Sequence, residues 1–205
     1  MPADIVIPYR NEPEFMKMAI TLGYDSIIFC YTQKPEPFPT PPLGLTVYRA
    51  SLNKPASFAN LVLFKAIYNS RGLLERKEID AIFGLETTSP KDFMHQRASG
   101  LNHVLANIAH SKNKKIVFDF SQILHANPEQ RALIMGRMSQ NIKLCKKSHT
   151  IMTIASMART PYQMRSPHDL HALFCVLGMH PSEAKEALNN PLCSKIQKSQ
   201  EHHTP

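Results

Sequence analysis

The chain has 205 residues, 43% of them hydrophobic and 20% charged, a make-up that excludes a disordered polypeptide and suits one large domain or a single shortened α/β barrel. It contains no run of about 18 apolar residues, no basic and apolar leader, and no C-x-x-C pair among Cys30, Cys145, Cys175 and Cys193, so a membrane span, a disulfide framework and a structural zinc site are not expected and a reducing, cytoplasmic setting is. The formal charge of +8 is uneven, since residues 91–165 carry twelve Lys and Arg against three Asp and Glu while 1–90 carry nine of each; this points to a polyanionic partner, the alternative being a lysine-rich solvated helical face.

In chain order, the spacing predicts strands at 4–8 and 26–31, then an extended loop over 33–43, where Pro35, Pro37, Pro39, Pro41 and Pro42 remove backbone donors. Further strands are expected at 45–49, 61–67 and 79–85. Ser99 then offers a cap for a helix with Leu101, Val104, Leu105 and Ile108 on its inner face and His103, Asn107 and His110 outside. A strand at 115–120 precedes Asn127-Pro128-Glu129, the start signal of a long helix. Ile134, Met138, Ile142 and Cys145 are expected inward, and Arg137, Gln140, Lys143 and Lys147 outward. A seventh strand is placed at 150–155. Ser166-Pro167 opens one helix, through Asp169, Leu170, Leu173 and Leu177, and Pro181-Ser182-Glu183 another. Residues 194–205 are polar and aperiodic, as a disordered tail would be. Strands apolar nearly throughout, alternating with helices, make parallel β-α units, and their economical closure is a TIM-like α/β barrel of about seven strands, complete or incomplete, over 1–193.

The chemistry is marked by what is missing. The ten histidines form no H-x-H or H-E-x-x-H pattern, and there is no G-x-S-x-G elbow, P-loop or G-x-G-x-x-G turn among only seven glycines. His168 and His171 stand three apart on a helix but need further ligands, and His202-His203 lies in the tail. Glu86, at a strand end, has no convincing second carboxylate and reads as a loop or helix-start acid. The segment 156–167 is richer. It joins a strand to a helix, Arg159 and Arg165 offer planar forks for phosphate, Tyr162 offers a stacking face, and Ser156, Thr160 and Ser166 offer hydroxyls. Arg165 could equally be clamped to Asp169. Asn102 and His103 could hydrogen-bond RNA or be ordinary surface residues.

Three blocks carry a resemblance. They are Arg97-x-Ser99-Gly100-Leu101-Asn102-His103-Val104-Leu105-Ala106, then Phe118-x-Phe120-Ser121 with Leu124, then Arg165-Ser166-Pro167-x-Asp169-Leu170 with Gly178-Met179. In order and spacing, over residues 79–188, the chain resembles the archaeal RNase P protein component 3 family. The resemblance implies a barrel related to the PHP phosphoesterases without their metal-binding histidines. It also implies a noncatalytic subunit of a ribonucleoprotein whose RNA removes the 5′ leaders of precursor tRNA. In the family this subunit pairs with a Pop5-type protein on the catalytic domain of the RNase P RNA. No tightly bound cofactor is expected in the chain, and Mg2+ is expected with the RNA. Carried over by position, the RNA-binding residues are Arg97, Arg165 and Asp169. Local chemistry adds Arg159 and Lys185, and the outward faces above add Asn102, His103, Arg137 and Lys143. Gln122 stands where relatives often have a basic residue. The competing expectations are a metal-dependent PHP-type phosphoesterase and a protein-binding scaffold charged only for solubility.

Overall fold

Strand residues that are buried whichever face they lie on require a parallel sheet covered on its outside and filled on its inside. The computed structural model, which describes residues 1–35, 40–189 and 192, has this arrangement. Its strands are β1 (Ala3–Val6), β2 (Ser26–Tyr31), β3 (Thr46–Leu52), β4 (Leu61–Lys65), β5 (Ala81–Phe83), β6 (Lys115–Asp119) and β7 (Met152–Ala155). They lie side by side in chain order, every neighbouring pair parallel. The helices are α1 (Glu12–Leu22), α2 (Arg71–Glu75), α3 (His103–Ser111), α4 (Phe120–His125), α5 (Pro128–Ser148), α6 (Pro167–Val176) and α7 (Pro181–Leu188), with short 3-10 turns at Leu85–Thr87 and Pro161–Gln163. Among the described residues, the connections from β2 to β3 and from β3 to β4 contain no helix.

The sheet is nearly closed into a barrel by the segment after β7. Met157 N–H donates to Ile5 O at 2.9 Å and Ile7 N–H to Ala158 O at 2.8 Å, extending the ladder across to β1. Asp4 adds a side-chain clasp, its Oδ1 accepting from Ser156 N–H at 2.7 Å and Ile5 N–H at 2.8 Å. The Asp4 carboxyl is 1% exposed, and its burial, opposed by the bonds from Ser156 and Ile5, raises its pKa to about 6.

Side chains alternate along a strand, so one set fills the barrel and the other meets the helices. The inner set includes Ala3, Ile5, Ile28, Tyr48, Ala50, Leu61, Leu63, Ala81, Val117 and Ala155. Outside β1 and β2, Val6, Ile27 and Phe29 pack on Phe15, Met16 and Ala19 of α1. Outside β4 to β7, Phe64, Ile82, Ile116, Phe118 and Ile154 pack on helices that include α3, α5 and α6.

All seven strands read from the sequence are present, most of them shorter than expected. The start of α5 is also as read, with Asn127 Oδ1 accepting from Gln130 N–H at 2.8 Å, and Ile134, Met138, Ile142 and Cys145 are all buried. Two expectations are corrected. First, α3 begins at His103, capped by Asn102 and not by Ser99. Gly100 takes a left-handed φ of 74°, and any side chain there would run into the Leu85 carbonyl, so the chain must turn at that point before it can coil. The helix therefore buries Ala106 and Ala109, and Val104 is 44% exposed. Second, Arg137 faces inward. It lies three residues beyond Ile134, on the buried stripe of α5, and is 1% exposed. Among the described residues no helix is long and apolar enough to cross a membrane. Cys193, the expected tail 194–205 and residues 36–39 of the proline-rich loop lie outside the described residues.

Candidate nucleic-acid interface

At the C-terminal ends of the strands, where barrels carry their sites, the inner rows end in one residue each: Ile7, Cys30, Leu52, Lys65, Phe83, Asp119 and Met157. These form the floor of an open cavity of about 1240 Å³. Five are apolar. The Asp119 carboxylate is already engaged, accepting from Ser121 N–H at 2.8 Å, Ser121 Oγ at 2.6 Å and Gln122 Nε2 at 3.2 Å. Burial pushes its pKa up against those bonds. The rim adds Tyr9, Arg10, Lys34, His125 and Arg159.

The rim is built where the barrel closes. Asn11 Nδ2 donates to Arg159 O at 3.3 Å, and Arg159 N–H donates to Gln163 Oε1 at 2.9 Å. This fixes the backbone at Arg159, whose guanidinium has no ion pair or hydrogen bond among the described residues. Tyr162, on the same loop, is 86% exposed. Arg165 is placed differently. Its Nη1 donates to Met164 O at 2.7 Å and Tyr162 O at 3.1 Å, and its guanidinium sits 5.6 Å from the centre of the Phe120 ring. It braces its own loop, and no ion pair joins it to Asp169, which is exposed beside His168.

On the flank, Arg137 is the centre of a buried network. Its Nε donates to Asp92 Oδ1 at 2.8 Å, and its Nη1 to Glu86 O and Ser89 O, both at 2.7 Å. Asn141 Nδ2 donates to Glu86 Oε1 at 2.8 Å and Ser99 O at 2.9 Å. Burial raises the Glu86 carboxyl to about 7, against the Asn141 bond. Against the upward push of desolvation, bonds from Ala98 N–H and Arg137 hold the Asp92 carboxyl below its usual range. Arg137 thus ties the turn after β5 to α5, and the expectation that it contacts RNA is corrected by its burial. Arg97 lies outside this network and is exposed, its guanidinium laid over Gly136, where any side chain would displace it.

Other cations of the basic segment are also held by the fold. Lys114 Nζ donates to Ile79 O at 2.6 Å, Lys115 Nζ to Asn113 O at 3.1 Å, and Arg131 to Ile123 O and Ala126 O at 3.0 and 2.9 Å. Lys146 pairs with Glu183 at 3.0 Å. Exposed cations of the segment include Arg97, Lys143, Lys147 and Arg159. His103 and Lys185 are exposed on α3 and α7, and Asn102 is exposed while its Oδ1 caps α3 at Leu105 N–H, 2.9 Å away. The predicted residues therefore do not form one patch. Arg159 belongs to the mouth, Arg97 and Lys143 to the α5 flank, and Lys185 to α7. Sequence reasoning missed Tyr9, Arg10, Lys34 and Lys65, whose segment is charge-balanced. Lys65 was findable, because it continues the alternation Leu61, Leu63 by one step.

Among the described residues, no group of three or more His, Cys, Asp and Glu could hold a metal ion. Residues 90–204 match the family model described as RNase P subunit p30. The chain is similar to Ribonuclease P protein component 3 of Thermococcus kodakarensis, 37% identical over 90 residues, covering 44% of this chain and 41% of the relative. It is similar also to that of Methanothermobacter thermautotrophicus, 26% identical over 157 residues, covering 76% and 61%. The matching part of the chain thus spans about half the length of these relatives. In three dimensions it resembles a chain in a cryo-EM structure of archaeal ribonuclease P with mature tRNA, at a TM-score of 0.74 and 22% identity, covering 97% of this chain and 91% of that one. An amidohydrolase crystal structure shares the fold more distantly, with a TM-score of 0.57 and 8% identity over 98% of this chain and 75% of that one.

Proposed function

This chain belongs to the RNase P subunit p30 family, and from that premise we propose that it is a noncatalytic protein subunit of a cytoplasmic ribonuclease P. It binds and stabilises the catalytic domain of the RNase P RNA, beside a Pop5-type partner, while the RNA cleaves the 5′ leader from precursor tRNA. The observation that carries this reading is the family match over 90–204, which takes in the basic segment. Exposed Arg97, Lys143 and Arg159 supply phosphate contacts, with His103, Asn102 and Lys185 as further polar contacts and Asp169 beside the rim loop. Arg165 acts chiefly by holding that loop in place.

A noncatalytic role is supported by the barrel floor. Ile7, Cys30, Leu52, Phe83 and Met157 occupy inward strand-end positions, where a metal-dependent hydrolase needs converging His and carboxylate ligands. Reconstitution with the cognate RNA and partner proteins tests the proposal. Omitting this chain is expected to lower precursor-tRNA processing, and the difference between reactions with and without it should shrink as salt rises and its phosphate contacts weaken. Unchanged processing without the chain overturns the assignment.

A further inference from the structure

We propose that the cavity at the barrel mouth binds a ribonucleoside monophosphate, its phosphate on Lys65 and Arg159 and its base against Tyr9, either as a free nucleotide or as the end of a single RNA strand. The choice of a ribonucleotide over other phosphorylated ligands rests on the RNA-binding function proposed above. The cavity itself does not depend on it.

Lys65 is the reason for the phosphate. It is the last inward residue of β4, and its stem runs over Gly84, where a Cβ would lie in ordinary contact with Lys65 Cγ at 3.6 Å and tight against Gln122 Nε2 at 3.3 Å. Its ammonium thus rises from a floor that is otherwise apolar except for Asp119, and among the described residues it has no carboxylate within ion-pair distance. Lys65 is exposed to the open cavity, so its charge is available to an anion. Asp119 does not supply that anion, since its two oxygens are bound by Ser121 and Gln122. Arg159, on the rim of the same cavity, adds a second donor with a fixed backbone and an uncommitted guanidinium.

Tyr9 and Gln122 are the reason for a nucleoside. Tyr9 lines the cavity with its ring 88% exposed, on a backbone held by Asn11 Oδ1 at 2.8 Å, and a ring presented in this way is a stacking surface for any base. Gln122 lines the same cavity, and a side-chain amide there can exchange hydrogen bonds with a ribose hydroxyl. A volume of about 1240 Å³ exceeds the roughly 300–1,000 Å³ of ordinary ligand clefts, so a nucleotide fits with room for a strand to leave.

The test is calorimetric titration of the full chain with 5′-AMP, adenosine and inorganic phosphate, followed by competition with a 5′-phosphorylated single-stranded tetranucleotide and with a blunt RNA duplex. AMP should bind at least about tenfold more tightly than adenosine or phosphate alone. Lys65→Ala should lose about tenfold in AMP affinity while melting as the wild type does, and Lys65→Arg should keep most of it. Tyr9→Ala should weaken AMP and leave phosphate unaffected. Competition by the single strand identifies a strand end as the ligand, and its absence identifies a free nucleotide. AMP binding no tighter than adenosine overturns the inference, as does a folded Lys65→Ala chain that binds AMP normally or a duplex that competes as well as the strand. If nucleotide binding is absent while the chain still supports processing in reconstitution, only this inference falls. If nucleotide binding is present but processing never needed the chain, only the RNase P assignment falls.

Discussion

The flank beneath α5 and the barrel mouth both gather cations on a polar framework, and they use them in opposite ways. On the flank, Arg137 is fully enclosed and donates to one carboxylate and two carbonyls, so its charge is consumed in joining the turn after β5 to the helix. At the mouth, Lys65 and Arg159 sit on backbone that other residues hold in place, and their charged ends face open space. A count of Lys and Arg treats the two regions alike. Burial and bonding separate them, and the difference teaches that the excess charge of residues 91–165 is partly an internal scaffold.

The largest expected effect tests the scaffold. Arg137→Ala leaves two carbonyls without their donor and Asp92 with its bond from Ala98 N–H alone, and should cost roughly 2–4 kcal/mol of unfolding free energy, measured by urea denaturation. A loss under about 1 kcal/mol, the size expected at a surface position, would erase the distinction between the regions. Next comes pH. Glu86 is raised in the folded chain to about 7 and Asp4 to about 6, while in the unfolded chain both ionise near pH 4. Between those values the native state binds more protons, so stability should fall as pH rises from about 4 to about 7 and level off above. Glu86→Gln should flatten much of that slope in melting curves recorded across the window. An unaltered slope in Glu86→Gln would remove Glu86 from the buried network's energetics. The smallest effect belongs to exposed Lys143. Lys143→Ala should change stability by no more than about 0.5 kcal/mol and lower the salt slope of RNA binding by about one, in filter-binding assays at several salt concentrations.

Much of the fold was legible in the sequence because its determinants are local. Short apolar runs marked the strands, and Asn127-Pro128, Ser166-Pro167 and Pro181-Ser182-Glu183 marked helix starts that the structure caps with side chains, the last with His180. The errors came where polarity was given more weight than spacing. Arg137 and Asn141 fall at helical intervals from Ile134 and Met138, on the buried stripe, yet the polar character of Arg137 suggested an outward face and Asn141 was not singled out. Their partners, Glu86, Ser89, Asp92 and Ser99, lie about forty to fifty residues upstream, and pairing over that distance leaves no local pattern to read. Lys65, by contrast, was marked by a local pattern, as a polar end to the alternation Leu61, Leu63, and was passed over for its charge-balanced segment. The start of α3 was misplaced because Ser99 has the chemistry of a cap, whereas the turn forced at Gly100 depends on the distant Leu85 carbonyl.

The seam that shuts the barrel has a kinetic consequence. Asp4 and Ser156 meet across 152 positions of chain, so β1 must wait with its outer edge unpaired until almost all the rest has been made and folded, and contacts of such long range are slow to form. Tyr9 and Arg159 stand on opposite sides of that seam. A ligand gripped by both acts as a rivet: it binds only the closed ring and so slows the ring's reopening. Assembly with RNA would then also hold the barrel's last joint shut.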